Sequence, residues 1–235
     1  PAEQTPQIAA AAVARLIEAG VPEDAVQLMF GEGEIGAALV SNASIQGICF
    51  TGSTATAKHI ANALSETGRA ECPLIAETGG INAMIVDSTA LLEQAVQDVV
   101  RSAFQSAGQR CSACRIVCVQ SDSADQFIEL LSGAMQTLRT GDPAEISTDI
   151  GPIIDAEAYT RIAAYIDAMR QTHSVIGEAP PAKAKNQTLL APVAFEVAAV
   201  SDVKEEVFGP VLHLVRFDAP QLNELLEDIN QLGFG

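Results

Sequence analysis

Short apolar runs alternate with amphipathic stretches along this chain, and that alternation limits its fold more than any other feature. Ile45 to Phe50, Pro73 to Glu77, Asn82 to Val86, Arg115 to Val119 and Val211 to Phe217 are such runs. Each is short for a helix and suits a strand buried on both faces. Thr54 to Leu64, Asp87 to Ser106, Ser123 to Leu138 and Glu157 to Arg170 read as the helices between them. Leu91, Leu92, Val96 and Val99 fall near helical spacing in one; Phe127, Ile128, Leu131, Met135 and Leu138 share a face of another. Strands alternating with helices predict an α/β fold with a parallel sheet. The ends are expected to add a first helix, with Thr5 as N-cap and Pro6 at its first position, closed by Gly20. A short strand over Val26 to Phe30, a solvated loop over residues 177–188 and a last helix over Ala219 to Gln231 complete the expectation.

Hydrophobic residues make up 48% of the 235 and charged residues 18%, enough apolar material for a sizeable core. A formal charge of −17 argues against nucleic acid and anionic membrane surfaces as direct partners. No apolar run reaches the length of a membrane span, and no signal peptide is visible. The chain begins at Pro1 and stops in mid-pattern at Phe234-Gly235, so it is expected to be part of a longer protein. Five cysteines is an odd count, and Cys49, Cys72 and Cys118 lie in apolar runs. That usage fits a reduced, cytoplasmic compartment better than a disulfide framework.

The chemistry centres on Phe104 to Gln120. Gly108-Gln109-Arg110 leads into Cys111, Ser112-Ala113 follows, and a buried strand comes next. A thiol in a loop between helix and strand can face a cleft, whereas Cys118 inside the strand reads as core. Cys111 to Cys114 is also a CxxC, which suits zinc or a redox disulfide. There is no second CxxC, and His59, His173 and His213 stand singly, so no metal is expected. A redox protein remains the alternative, which a thiol count with and without reductant would separate. Two turns could serve an anion. Gly31-Glu32-Gly33-Glu34-Ile35-Gly36 has the dinucleotide spacing, but its glutamates put negative charge where a pyrophosphate would lie. Thr51-Gly52-Ser53, between a strand and a helix start, is better placed, since a helix N-terminus offers free N–H groups.

Three segments in order, Phe50-Thr51-Gly52-Ser53-Thr54, Ala76-Glu77-Thr78-Gly79-Gly80 and Glu205-Glu206-Val207-Phe208-Gly209-Pro210, together with Gly108 to Ala113, resemble the aldehyde dehydrogenase superfamily across the whole chain. The finer wording, Ala76 to Asp87 and Gly108 to Ala113, is similar to the L-glutamate γ-semialdehyde (pyrroline-5-carboxylate) dehydrogenase module of the bifunctional proline utilization A family. The resemblance implies an aldehyde dehydrogenase-like fold: part of a Rossmann-like NAD domain over residues 1–79, then part of an α/β catalytic domain over 80–235. It implies Cys111 as the nucleophile, forming a thiohemiacetal and then a thioester, and Glu77 as the base that activates water. It implies NAD as cofactor. Glu3 would hold the adenosine ribose, Gly52 and Ser53 would approach the pyrophosphate, Gly33, mainly a turn former, would approach the cofactor, Glu206 would hold the nicotinamide ribose, and Phe208 would pack beside the nicotinamide. Glu77 is expected to be buried at its strand end. Ser112 would help bind the substrate's carboxylate. The implied partner is a small aldehyde, in a homo-oligomeric parent with no direct membrane insertion. An aldehyde dehydrogenase for another substrate, such as succinate semialdehyde, is the nearest alternative; a non-catalytic relative of the fold is the other.

Overall fold

The structure, a computed structural model, describes residues 1–182 and 188–234. It divides into two compact units, Pro1–Gly79 and Gly80–Gly235.

The first unit is a strand–helix–strand module preceded by two helices. Helix α1 spans Pro6–Glu18 and α2 spans Gly33–Ser41. Strand β1, Ile48–Thr51, leads through α3, Thr54–Glu66, into β2, Leu74–Glu77. The two strands are parallel, with Ile48 opposite Leu74 and Thr51 opposite Glu77. A parallel pair requires a crossover, and α3 supplies it. Arg69 ties the module together: its guanidinium donates to Val40 O at 2.6 Å and to Ile45 O, joining the end of α2 to the loop after α3. Val26 to Phe30, expected as a strand, has no regular secondary structure and pairs with no strand among the described residues. An apolar run becomes a strand only where another strand pairs with its backbone. Thr5 occupies the N-cap position of α1, yet its hydroxyl points back to Ala2 O rather than capping the helix; Pro6 supplies the start.

The second unit is a five-stranded sheet in the order β3-β4-β7-β6-β5. Its strands are β3 Asn82–Val86, β4 Cys114–Gln120, β5 Ser174–Glu178, β6 Val193–Val197 and β7 Val211–Phe217. All pairs are parallel except β5 with β6. Helices α4 Leu92–Phe104, α5 Ser121–Thr137, α6 Ala156–Thr172 and α7 Leu222–Gln231 accompany it. Every residue of β4 is buried, as expected for a central strand covered on both faces. Leu92, Val96 and Val99 of α4 and Phe127, Leu131 and Met135 of α5 join the same core. Asp155 caps α6 by accepting the N–H of Ala158 at 2.8 Å.

Several boundaries differ from the sequence expectation. Helix α4 begins at Leu92 because Asp87 holds a tight turn, accepting both the N–H and the hydroxyl of Thr89. Leu91 precedes the helix and is exposed. Gly177 and Glu178, placed in a solvated loop, finish β5; residues 183–187 of that loop lie outside the described residues. Strands β5 and β6 have no counterpart in the expectation. Residues Ala219–Gln221 form a 3-10 turn ahead of α7.

Candidate active site

The loop that carries Cys111 starts where α4 ends. Ser106, Ala107 and Gly108 all adopt the left-handed region, with φ of 58°, 55° and 67°. For a non-glycine residue this conformation costs roughly 1–2 kcal/mol. Gly108 has a second reason to be glycine: a Cβ there would lie 2.1 Å from the carbonyl oxygen of Gly209. Beyond the turn, Gln109 is clamped from both sides. Its amide donates to Pro152 O at 3.1 Å, and its Oε1 accepts the N–H of Ile154 at 2.9 Å. The Cys111 carbonyl accepts from Asn82 Nδ2 at 2.6 Å, and the same amide donates to Ala113 O at 3.0 Å. Cys111 is therefore exposed on a loop whose backbone is fastened on three sides.

The other thiols are unlike it. Cys114 is buried and donates to Ile116 O at 3.2 Å; Cys118 lies deep in β4. Burial pushes both thiols up to about 12, which makes them poor nucleophiles. All five cysteines are free, and Cys49 is exposed rather than core. Among the described residues no cluster of three His, Cys, Asp or Glu side chains could hold a metal ion.

Arg115 is the residue that sequence reasoning missed. Its side chain is 1% exposed within β4. The guanidinium donates to Gly108 O at 2.7 Å, Arg110 O at 3.0 Å, Gly209 O at 3.2 Å and Glu206 Oε1 at 3.2 Å. Phe208 covers it, with the ring centroid 5.5 Å from Cζ. Burial lowers the guanidinium's pKa, and the hydrogen bond and charge of Glu206 oppose that shift. Leaving either partner of such a buried pair alone costs about 3–5 kcal/mol. The visible signal was a lone arginine in an otherwise apolar strand run, and Asn82, straight after two glycines and Ile81, was a second.

Glu206 and Phe208 are thus gathered with the Cys111 loop inside one unit. Glu206 is half-buried; its Oε1 takes Arg115, and a carboxylate has a second oxygen to offer a hydroxyl. Phe208 is 38% exposed, so part of its ring is free to meet a ligand. Ser112 is exposed and lines a cavity of about 280 Å³ with Asp98, Arg101, Ser102, Gln105 and Arg110. Two arginines and two serines give that cavity the means to hold a carboxylate.

The remaining residues belong to the first unit. Glu77 ends β2 and is exposed, not buried; its carbonyl accepts the N–H of Gly52 at 3.0 Å. Among the described residues β2 pairs only with β1, which leaves little around it to bury its last residue. Gly52 lies under the Phe50 ring, where a Cβ would come within 2.5 Å of Cζ. Ser53 caps α3, accepting the N–H of Thr56 at 3.1 Å. Gly33 opens α2, with Glu34 in the first turn. Glu3 lies exposed in the N-terminal turn.

The chain belongs to the aldehyde dehydrogenase family, whose model matches residues 1–235. It is 49% identical over 246 residues to the bifunctional protein PutA of Klebsiella aerogenes, covering all of this chain and 19% of that one. It is 34% identical over 240 residues to a 1-pyrroline-5-carboxylate dehydrogenase of Geobacillus kaustophilus, covering 46% of it. A crystal structure of bifunctional proline utilization A superposes with a TM-score of 0.94 at 49% identity, over all of this chain and 24% of that one. PnpE in complex with nicotinamide adenine dinucleotide superposes with a TM-score of 0.87 at 32% identity, over 96% of this chain and 47% of that one. The chain spans about a fifth of the length of the first PutA relatives.

Proposed function

We propose that this chain supplies the nucleophile and part of the cofactor site of an NAD-dependent enzyme that oxidises L-glutamate γ-semialdehyde to L-glutamate in proline catabolism, as one module of a multifunctional polypeptide. The observation that carries the reading is the exposed Cys111 on a fastened loop, joined through Arg115 to Glu206 and Phe208. The 49% identity to a bifunctional PutA favours this substrate over succinate semialdehyde. The retained Cys111, Glu77 and Glu206 favour an enzyme over a non-catalytic relative.

The residues present fit the cofactor. Ser53 caps α3 through Thr56, and the N–H groups of Thr54 and Ala55 remain at the helix start for a pyrophosphate. Glu206 has a carboxylate oxygen for a ribose hydroxyl, and the exposed part of Phe208 gives a ring a surface to lie on. Gly33 and Glu3 would complete the contacts, and an acid at Glu3 would repel a 2′-phosphate. NAD, when bound, supplies the hydride acceptor. Cys111 Sγ attacks the aldehyde carbon and keeps the acyl group bound until water displaces it. Glu77 takes the proton from that water. Ser112, with Arg101 and Arg110 in the same cavity, would hold the substrate's carboxylate.

The test uses the full-length protein with L-glutamate γ-semialdehyde and succinate semialdehyde side by side, following NADH. A kcat/KM that favours the first substrate, lost in Cys111→Ala, is the expected result. Preference for succinate semialdehyde would replace the substrate, and unchanged turnover in Cys111→Ala would remove the nucleophile.

A further inference from the structure

Arg115 is the second residue of a strand whose seven residues are all buried, and the chemistry above gives it no task. An apolar side chain would fill the same place without the desolvation cost of a guanidinium. Among the described residues its Nε has no hydrogen-bond partner. What it does is bridge. Its four acceptors come from two separate segments: Gly108 O and Arg110 O on the loop that carries Cys111, and Glu206 Oε1 and Gly209 O on the segment that carries Glu206 and Phe208. The first segment holds three consecutive left-handed residues, two of them not glycine. Such a run persists only where its surroundings hold it. The two segments also touch directly, Gly108 against the Gly209 carbonyl, with no room for a Cβ.

We propose that Arg115 is a positioning residue whose planar fork fastens the Cys111 loop to the Glu206–Gly209 segment, so that nucleophile and Glu206 keep one frame. The inference rests on the aldehyde dehydrogenase reading for the purpose of that frame. A lysine keeps the charge but is a single point donor and cannot span four oxygens. Arg115→Lys therefore separates the fork from the charge, and Arg115→Met removes both.

The experiment takes the full-length protein, its Arg115→Lys and Arg115→Met variants, and three readouts. These are thermal melting, the split of kcat against KM for NAD, and the iodoacetamide alkylation rate of Cys111 without cofactor, with exposed Cys49 as internal reference. In folded Arg115→Lys we expect kcat to fall about a hundredfold, as a misplaced reacting group does. KM for NAD should rise about tenfold, the worth of one charged hydrogen bond. Cys111 alkylation should slow at least about threefold while Cys49 keeps its rate. A residue that only supports the fold would lower the melting temperature and leave kcat, KM for NAD and the Cys111 alkylation rate unchanged in the folded protein. Folded Arg115→Lys with all three values at wild-type levels would overturn the proposal. If neither Arg115 variant folds, Glu206→Gln reads the bridge from its half-buried end: slower Cys111 alkylation supports it, and an unchanged rate overturns it. A wild-type protein that oxidises no aldehyde would end the functional reading alone, because the alkylation readout still decides Arg115.

Discussion

The two units share a sequence pattern and differ in what they bury. Residues 1–79 hold α1, α2 and a strand–helix–strand module, yet among the described residues their buried hydrophobic side chains are Ala57 and Leu64. Met29, Phe30, Ile35, Leu39 and Ile75 are exposed there. From residue 80 onward the same kind of alternation closes into a continuous core through β4, β6 and β7, with Phe104, Phe127, Phe195 and Leu131 at 0% exposure. The difference is sheet width. A central strand such as β4 has neighbours on both edges and helices over it; among the described residues β1 and β2 pair only with each other. A two-stranded sheet is marginal on its own, and parallel strands are stable when covered on both faces. Pattern alone makes an element; enclosure makes it stable.

Hydrogen exchange on the 235-residue chain tests this most severely. Amides of β4 and β7 should exchange at least about a thousandfold more slowly than those of β1 and β2. Equal protection in both units would break the comparison. The proposed role of Glu77 as base supplies the catalytic counterpart, Glu77→Gln in the full-length protein. Loss of a general base costs about a hundred- to ten-thousandfold. The variant should give a burst of NADH near one per active site, then slow turnover with an acyl adduct on Cys111, seen by rapid quench and mass spectrometry. Steady turnover at the wild-type rate would take Glu77 out of the reaction, and no burst would move its role to Cys111 itself.

Core truncations come next in size. Phe127→Ala should cost about 3–5 kcal/mol in urea unfolding of the second unit, while Leu64→Ala in the first unit should cost less because its surroundings are open. Similar losses would mean that unit 1 has a core of its own. A pH experiment sharpens the contrast within the second unit. His213 in β7 is buried, bonded at Nδ1 to Arg115 O at 2.9 Å and at Nε2 to the Tyr165 hydroxyl at 2.8 Å. Burial lowers its pKa from 6.5 to about 4. The unfolded chain therefore takes the proton first. Stability present above pH 6.5 falls as pH drops through that window, by about 3 kcal/mol near pH 4. Urea midpoints between pH 7 and pH 4 should show the fall, and His213→Gln should flatten it. The smallest effect belongs to the loop that carries Cys111: Ala107→Gly, at φ of 55°, should stabilise by about 1 kcal/mol. A destabilised variant would show that the alanine methyl in the core outweighs the relief of strain.

Much of the fold was legible because it depends on local pattern. The spacing of Leu92, Val96 and Val99 marks α4, Ser53 marks the start of α3, and the β-branched run after Cys114 marks β4. Strands β5 and β6 were not legible. Val193-Ala194-Phe195 is short and apolar without an alternating period, and its pairing with β5 and β7 makes it a strand. The reverse holds for Val26 to Phe30, which has the composition of a strand and no strand partner.

The sequence by itself determined the candidate side chains: one loop thiol after Gly-Gln-Arg, one carboxylate shortly before Gly-Gly, and Glu206 with Phe208 before Gly-Pro. Their identity is local and survives without coordinates. Only the tertiary structure decided what stands between them. Arg115 is 94 residues from Gly209 and 91 from Glu206 in sequence, yet its guanidinium donates to both. A buried charge has to find its acceptors wherever the fold delivers them, and no local pattern records where that is.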